Sequence, residues 1–193
     1  MHTQTGFFPP WESTLANYVS ISRLAFGTIG LLWSISQQQF WWAFGFALVF
    51  FSTDKLDGYL ARSRNETTQM GAWLDAIADK VIGFVTMLAL LRWGGLSSPL
   101  FAFMVWLLII HVLIAVVNVV AERRDTGAAS TVAFGKFSMA TLMFYLGFCI
   151  LWRALDQEMW SSVSWVAFGF GLAATALGSI AFGEYSGRLL KNV

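Results

Sequence analysis

Charge is what this sequence has least of. Aspartate, glutamate, lysine and arginine make up 12% of its 193 residues, against about 25% in a typical soluble domain. With 57% hydrophobic and 17% aromatic residues, the chain is too apolar for an ordinary soluble fold. Its solvent is largely lipid. The formal net charge of +1 lacks the basic excess on which nucleic-acid binding relies, so no nucleic-acid partner is expected. Cys149 is the only cysteine, which rules out an internal disulfide. It stands in an apolar run without nearby charge, as a small, inert packing residue does. Met1 to Trp11 have neither the basic start nor the small-residue cleavage site of a signal peptide, so no cleaved targeting segment is expected. No internal repeat or low-complexity linker divides the chain, and at this length residues 1–193 read as one domain.

What is present is a series of long apolar runs. A spanning helix needs roughly 20 mostly apolar residues. Six runs qualify: Tyr18 to Ser36, Phe40 to Ala61, Leu74 to Leu91, Leu100 to Ala121, Val132 to Trp152 and Met159 to Phe182. The fourth has no acidic or basic residue between Leu100 and Ala121. The runs are too long for strands and lack a period of two. The expected fold is all-α, an integral membrane bundle of six transmembrane helices. The segment Phe7 to Ala16, rich in aromatic residues, suits a short N-terminal interfacial helix.

Six spans put both termini on one side. That side collects nine basic residues, Lys55, Arg62, Arg64, Lys80, Arg123, Arg124, Lys136, Arg188 and Lys191. The other side has only Arg92 and Arg153, while Arg23 lies within the first span. The positive-inside rule places both termini in the cytoplasm of a bacterial-type inner membrane.

The acidic residues are fewer and more tightly ordered. Asp54, Asp57, Gly58, Ala61 and Arg62 follow helical spacing and share one face of the second span. Gly71, Asp75 and Asp79 recur every four residues on the next helix. The polar stretch Ser63 to Met70 lets the two helices turn back side by side, bringing two acidic pairs to the cytoplasmic boundary. Carboxylates at a few ångströms repel by several kcal/mol at intermediate dielectric, on the order of 332/(εr), so protons or cations must relieve them. Oxygen-only ligands select hard ions such as Mg²⁺, Mn²⁺ or Ca²⁺. Two divalent ions would offset the four charges and hold a diphosphate. Arg62 offers a planar fork suited to phosphate. A solvated helix end explains one or two such acids, not four on matched faces with glycines between them.

The arrangement D-x2-D-G-x2-A-R-x8-G-x3-D-x3-D runs from Asp54 to Asp79 with all eight fixed positions filled. In this the chain resembles the CDP-alcohol phosphatidyltransferases, whose six-helix layout it also shares. The resemblance implies that Asp54, Asp57, Asp75 and Asp79 bind two Mg²⁺ or Mn²⁺ ions. Asp79 would also be the catalytic base for the acceptor hydroxyl. It further implies that Gly58, Ala61 and Gly71 line the cytidine pocket and that Arg62 supports the phosphates of a donor such as CDP-diacylglycerol. The hydroxyl would attack phosphorus and CMP would leave. Asn17, Ser20 and Arg23 resemble the family's N-x2-T-x2-R element, with serine for threonine, and add Asn17 and Ser20 to the donor side. Arg23 is expected to face the acids, near the acceptor. The family also suggests a homodimer.

For the acceptor, Gly135-Lys136 is similar to the G-K element of phosphatidylglycerophosphate synthase-like members. Lys136, with Arg123 and Arg124, would attract the phosphate of glycerol 3-phosphate. Phe137-Ser138-Met139 departs from the usual continuation, Ala76 replaces a common proline, and the fourth span carries His111 and Asn118 where such synthases often have an Arg-Glu pair. Inositol phosphate, another small alcohol and phosphatidylglycerol therefore stay open. A divalent-metal transporter is the rival of another class. It calls for acids at the bilayer midplane on broken helices, whereas these cluster at one end.

Overall fold

A computed structural model of the chain describes residues 18, 21–63, 69–123, 133–155 and 160–191, with side chains from 54 to 76 outside the description. Among them every regular element is a helix. A π-helical turn, Arg23–Gly27, leads into α1 (Thr28–Ser36), followed by α2 (Phe40–Ser63), α3 (Gln69–Trp93), α4 (Ser98–Arg123), α5 (Ala133–Ala154) and α6 (Trp160–Lys191). The residues of the expected interfacial helix, Phe7 to Ala16, lie outside the described set. Two compact units emerge, Met1–Thr86 and Met87–Val193, and their boundary falls inside α3.

Among the described residues, three stretches are long and apolar enough to cross a membrane, Ser98–Val117, Phe134–Ala154 and Ser162–Gly187. They correspond to the last three expected spans. Among the described residues the first two spans are represented by shorter apolar helices, Leu24–Ser36 and Phe40–Thr53. α2 and α3 have 24 and 25 residues, enough for roughly 36 Å at about 1.5 Å per residue. Their apolar parts are cut short by Asp54, Lys55, Asp57 and Arg62 in one, and by Asp75, Asp79 and Lys80 in the other. The acidic motif thus occupies length that would otherwise be lipid-compatible.

In the first unit, α1 and α2 form a tight hairpin. Gln38 carries φ 56°. Its N–H donates to the Ile35 carbonyl at 3.0 Å, and the Gln39 N–H donates to Ser34 at 2.8 Å. That pair of bonds is a Schellman cap, with glutamine at the left-handed position where glycine is usual. The helices then meet through glycines. A Cβ at Gly27 would lie 3.3 Å from the Phe50 ring, and one at Gly30 would lie 2.7 Å from the Phe46 ring. Gly30→Ala is therefore expected to lower stability by about 1–3 kcal/mol through overpacking, and Gly27→Ala by less. Thermal unfolding in detergent micelles checks the order.

In the second unit, α4 and α5 both pack on α6. The buried face of α6 runs Ala167, Gly171, Ala174, Gly178, Ala181 and Tyr185. Small residues at this spacing let helix backbones approach closely where lipid supplies no hydrophobic drive between helices. A Cβ at Gly171 would meet the Tyr145 ring at 3.0 Å and the Phe103 ring at 3.3 Å. One at Gly178 would meet Ile110 at 3.0 Å and the Ser138 hydroxyl at 3.2 Å. The Tyr145 hydroxyl donates to the Leu100 carbonyl, joining α5 to the start of α4. Cys149 is free and buried, as its apolar setting predicts.

The outside is apolar as well. Phe26, Trp41, Trp42, Val49, Trp165 and Leu172 are all more than half exposed, a surface that water does not tolerate over such an area. Several hydroxyls on the helices are answered within their own helix. Ser52 donates to the Leu48 carbonyl, Thr53 to Val49, Thr141 to Phe137, Thr175 to Gly171 and Ser179 to Thr175, at 2.8–2.9 Å. This is how polar groups are satisfied where no water reaches them.

Candidate active site

The acidic residues recur at helical spacing along α2 and α3. In α2 the buried positions Ala43 and Phe50 lead by steps of seven, four, three and four to 54, 57 and 61, one continuous helical stripe. The helix runs unbroken through this region to Ser63. In α3, positions 71, 75 and 79 lead on to the buried Ile82, Gly83 and Thr86. Asp79 itself is half-buried and makes an interaction, whereas its neighbours Lys80 and Val81 are exposed on the other side. In α3 the described end of the register, Asp79 with Ile82, Gly83 and Thr86, lies on the buried side of its helix. A merely solvated end would put acids and Lys80 on the same face.

The structure places the expected residues as follows. Asp54, Asp57, Gly58, Ala61 and Arg62 lie in α2, and Gly71, Asp75 and Asp79 in α3. All eight belong to the first unit. Arg23 begins the π-helical turn, a rare geometry that recurs at functional sites. Asn17 and Ser20 lie outside the described residues, as do Arg124 and the side chains of Arg23 and Arg123. Arg123 is the last residue of α4, and Lys136 is exposed in the first turn of α5, both in the second unit. Among the described residues no group of three or more His, Cys, Asp or Glu side chains gathers to hold a metal; of the four aspartates, those residues include the side chain of Asp79 alone. The donor set fits a hard cation. It is made of carboxylates only, in two helical registers.

His111 is an interior residue with one nitrogen satisfied, its Nδ1 lying 2.9 Å from the Leu107 carbonyl. Among the described residues, its Nε2 and the Ser138 hydroxyl are buried without hydrogen-bond partners, close to Gly178. A further feature escaped the sequence reading. The Tyr185 phenol stands on Gly135, immediately before Lys136. The period of small residues on α6 ends in Tyr185, but nothing in the sequence marks Gly135 as its partner.

Comparison with known proteins agrees with the motif. The CDP-alcohol phosphatidyltransferase family model matches residues 13–177. A cardiolipin synthase (CMP-forming) of Oryza sativa subsp. japonica is 31% identical, over 88% of this chain and 55% of the relative. The chain thus spans about half the length of that protein. A CDP-diacylglycerol–glycerol-3-phosphate 3-phosphatidyltransferase of Escherichia coli (strain K12) is 30% identical, over 72% of this chain and 76% of the relative. In fold, the chain is similar to the Mycobacterium tuberculosis phosphatidylinositol phosphate synthase. In complex with manganese and citrate, that structure gives a TM-score of 0.62 at 18% identity, covering 89% of this chain and 82% of the other. With CDP-DAG bound, the TM-score is 0.58 at 17% identity, covering 88% and 87%.

Proposed function

Because the chain belongs to the CDP-alcohol phosphatidyltransferase family, we infer that it moves a phosphatidyl group from CDP-diacylglycerol to glycerol 3-phosphate and releases CMP. The observation that carries this reading is the complete acidic motif, at helical spacing along the continuous helices α2 and α3. The E. coli relative, named for that reaction, supports the choice of acceptor, as does Lys136 following Gly135.

Asp54, Asp57, Asp75 and Asp79 would hold two divalent ions, Mg²⁺ or Mn²⁺. When bound, such ions draw negative charge off the donor diphosphate and off the oxygens of the attacking and leaving groups. The protein's own residues supply the rest. Gly58, Ala61 and Gly71 leave room for the cytidine, while Arg62, with Asn17 and Ser20, steadies the donor. The carboxylate of Asp79 takes the proton from the acceptor hydroxyl as its oxygen attacks the phosphorus on the diacylglycerol side. The bond from that phosphorus to the bridging oxygen breaks, and CMP departs with the electron pair. Lys136, Arg123, Arg124 and Arg23 attract the acceptor's phosphate. Positioning and charge stabilisation dominate chemistry of this kind.

In the same reading the whole chain is one membrane domain. α1 with the residues before it, α2 and α3 join the three long apolar helices to make six spans. The basic residues hold both termini and the acidic face in the cytoplasm. The exposed apolar sides leave the donor's acyl chains in lipid, and a homodimer is the assembly that fits the family. Supplying purified protein with CDP-diacylglycerol and a panel of acceptors tests the reading through CMP release and product identity. Phosphatidylglycerophosphate is the expected product. CMP release with inositol phosphate or phosphatidylglycerol alone would overturn the acceptor, and no CMP with any alcohol would overturn the reaction.

A further inference from the structure

Tyr185 and Gly135 make a contact that leaves no room for a side chain. A Cβ at Gly135 would lie 2.9 Å from the Tyr185 hydroxyl oxygen, 3.4 Å from Cε2 and 3.6 Å from Cζ. The phenol has little freedom to yield. Tyr185 is 4% exposed and buried beside Ala181, with Ile114 and Val117 packed against them. One side chain therefore touches the late part of α4, the first turn of α5 and its own helix α6. Lys136, the next residue after Gly135, is exposed.

The first turn of a helix is its weakest part, because its N–H groups have no partner within the helix. A lysine ammonium is a point charge on a flexible four-carbon stem, so its reach is set by where its backbone is held. We propose that Tyr185 is a positioning residue for Lys136: by bearing on Gly135 it fixes the opening turn of α5, and with it the cation that receives the acceptor's phosphate. This rests on the reading of Lys136 given above. It explains why residue 135 is glycine although its backbone is ordinary helix.

The test uses the full chain in detergent, with CMP release followed against glycerol 3-phosphate and, separately, CDP-diacylglycerol. Gly135→Ala should raise KM for glycerol 3-phosphate about tenfold while kcat and the donor KM stay within about twofold, the split that marks lost binding of one substrate. Adding Tyr185→Phe to Gly135→Ala removes the atom at 2.9 Å and leaves Cε2 at an ordinary 3.4 Å, so the double variant should recover most of the acceptor KM. In a Lys136→Ala background, Gly135→Ala should have no further effect on that KM. A double variant no better than Gly135→Ala, or an effect that persists without Lys136, would overturn the proposal. If Lys136→Ala alone leaves the acceptor KM unchanged, the acceptor reading of Lys136 fails, and the positioning role falls with it. In that case the contact itself is still reported by recovery of the thermal midpoint in the double variant. Should Gly135→Ala not fold, Tyr185→Leu carries the test, with a raised acceptor KM expected and an unchanged one contradicting it.

Discussion

Replacing Asp57 or Asp75 by asparagine is expected to lower CMP release by about a thousandfold or more, roughly 4 kcal/mol of transition-state stabilisation. Asparagine keeps the size of the side chain and removes its charge. The helices should persist, because the changes leave alone the buried residues Ala43 and Phe50 of α2 and Ile82 and Thr86 of α3. Circular dichroism should show unaltered helix content. In the proposed site, removing one of the four carboxylates relieves repulsion, so without metal each variant should unfold at a temperature no lower than the parent. Loss of activity with retained or improved stability separates a site from a structural support. Turnover within tenfold of the parent would count heavily against the assignment.

Stripping divalent ions should have an effect as large. Chelation is expected to bring CMP release to background, with recovery on adding Mg²⁺ or Mn²⁺ and none on adding monovalent salt at equal ionic strength. A carboxylate-only donor set favours these hard ions. An ion that binds only the folded protein also raises its stability by mass action, by about 2.7 kcal/mol at a hundredfold excess over Kd. The parent's thermal midpoint should therefore rise with Mn²⁺, while that of Asp57→Asn should move little. Full activity in excess chelator would contradict a metal-assisted reaction.

The helical spacing of the acids was legible because it is arithmetic. The spacings 54, 57, 61 and 71, 75, 79 are fixed by the helix period alone, and the described backbone keeps both helices continuous through them. The later spans were equally plain, since Leu100 to Ala121 carries no charge that could argue otherwise. Boundaries shifted where polar caps extend helices past their apolar runs, as in α6, which continues from Phe182 to Lys191. Other features depend on partners distant in sequence. Nothing local announces that Gly30 seats the Phe46 ring or that Tyr185 stands on Gly135. Nor does composition show that Gln38 takes a left-handed cap. Tight contacts and caps of this kind emerge only once helices are laid against one another.

The most direct measurement is the number of Mn²⁺ ions held by the detergent-solubilised chain in the presence of a CDP-linked donor, counted by electron paramagnetic resonance of the free ion. About two per chain are predicted from the two acidic registers, falling by at least one when either Asp57 or Asp75 becomes asparagine. A chain that binds no Mn²⁺, or an unchanged count in both variants, would contradict the account.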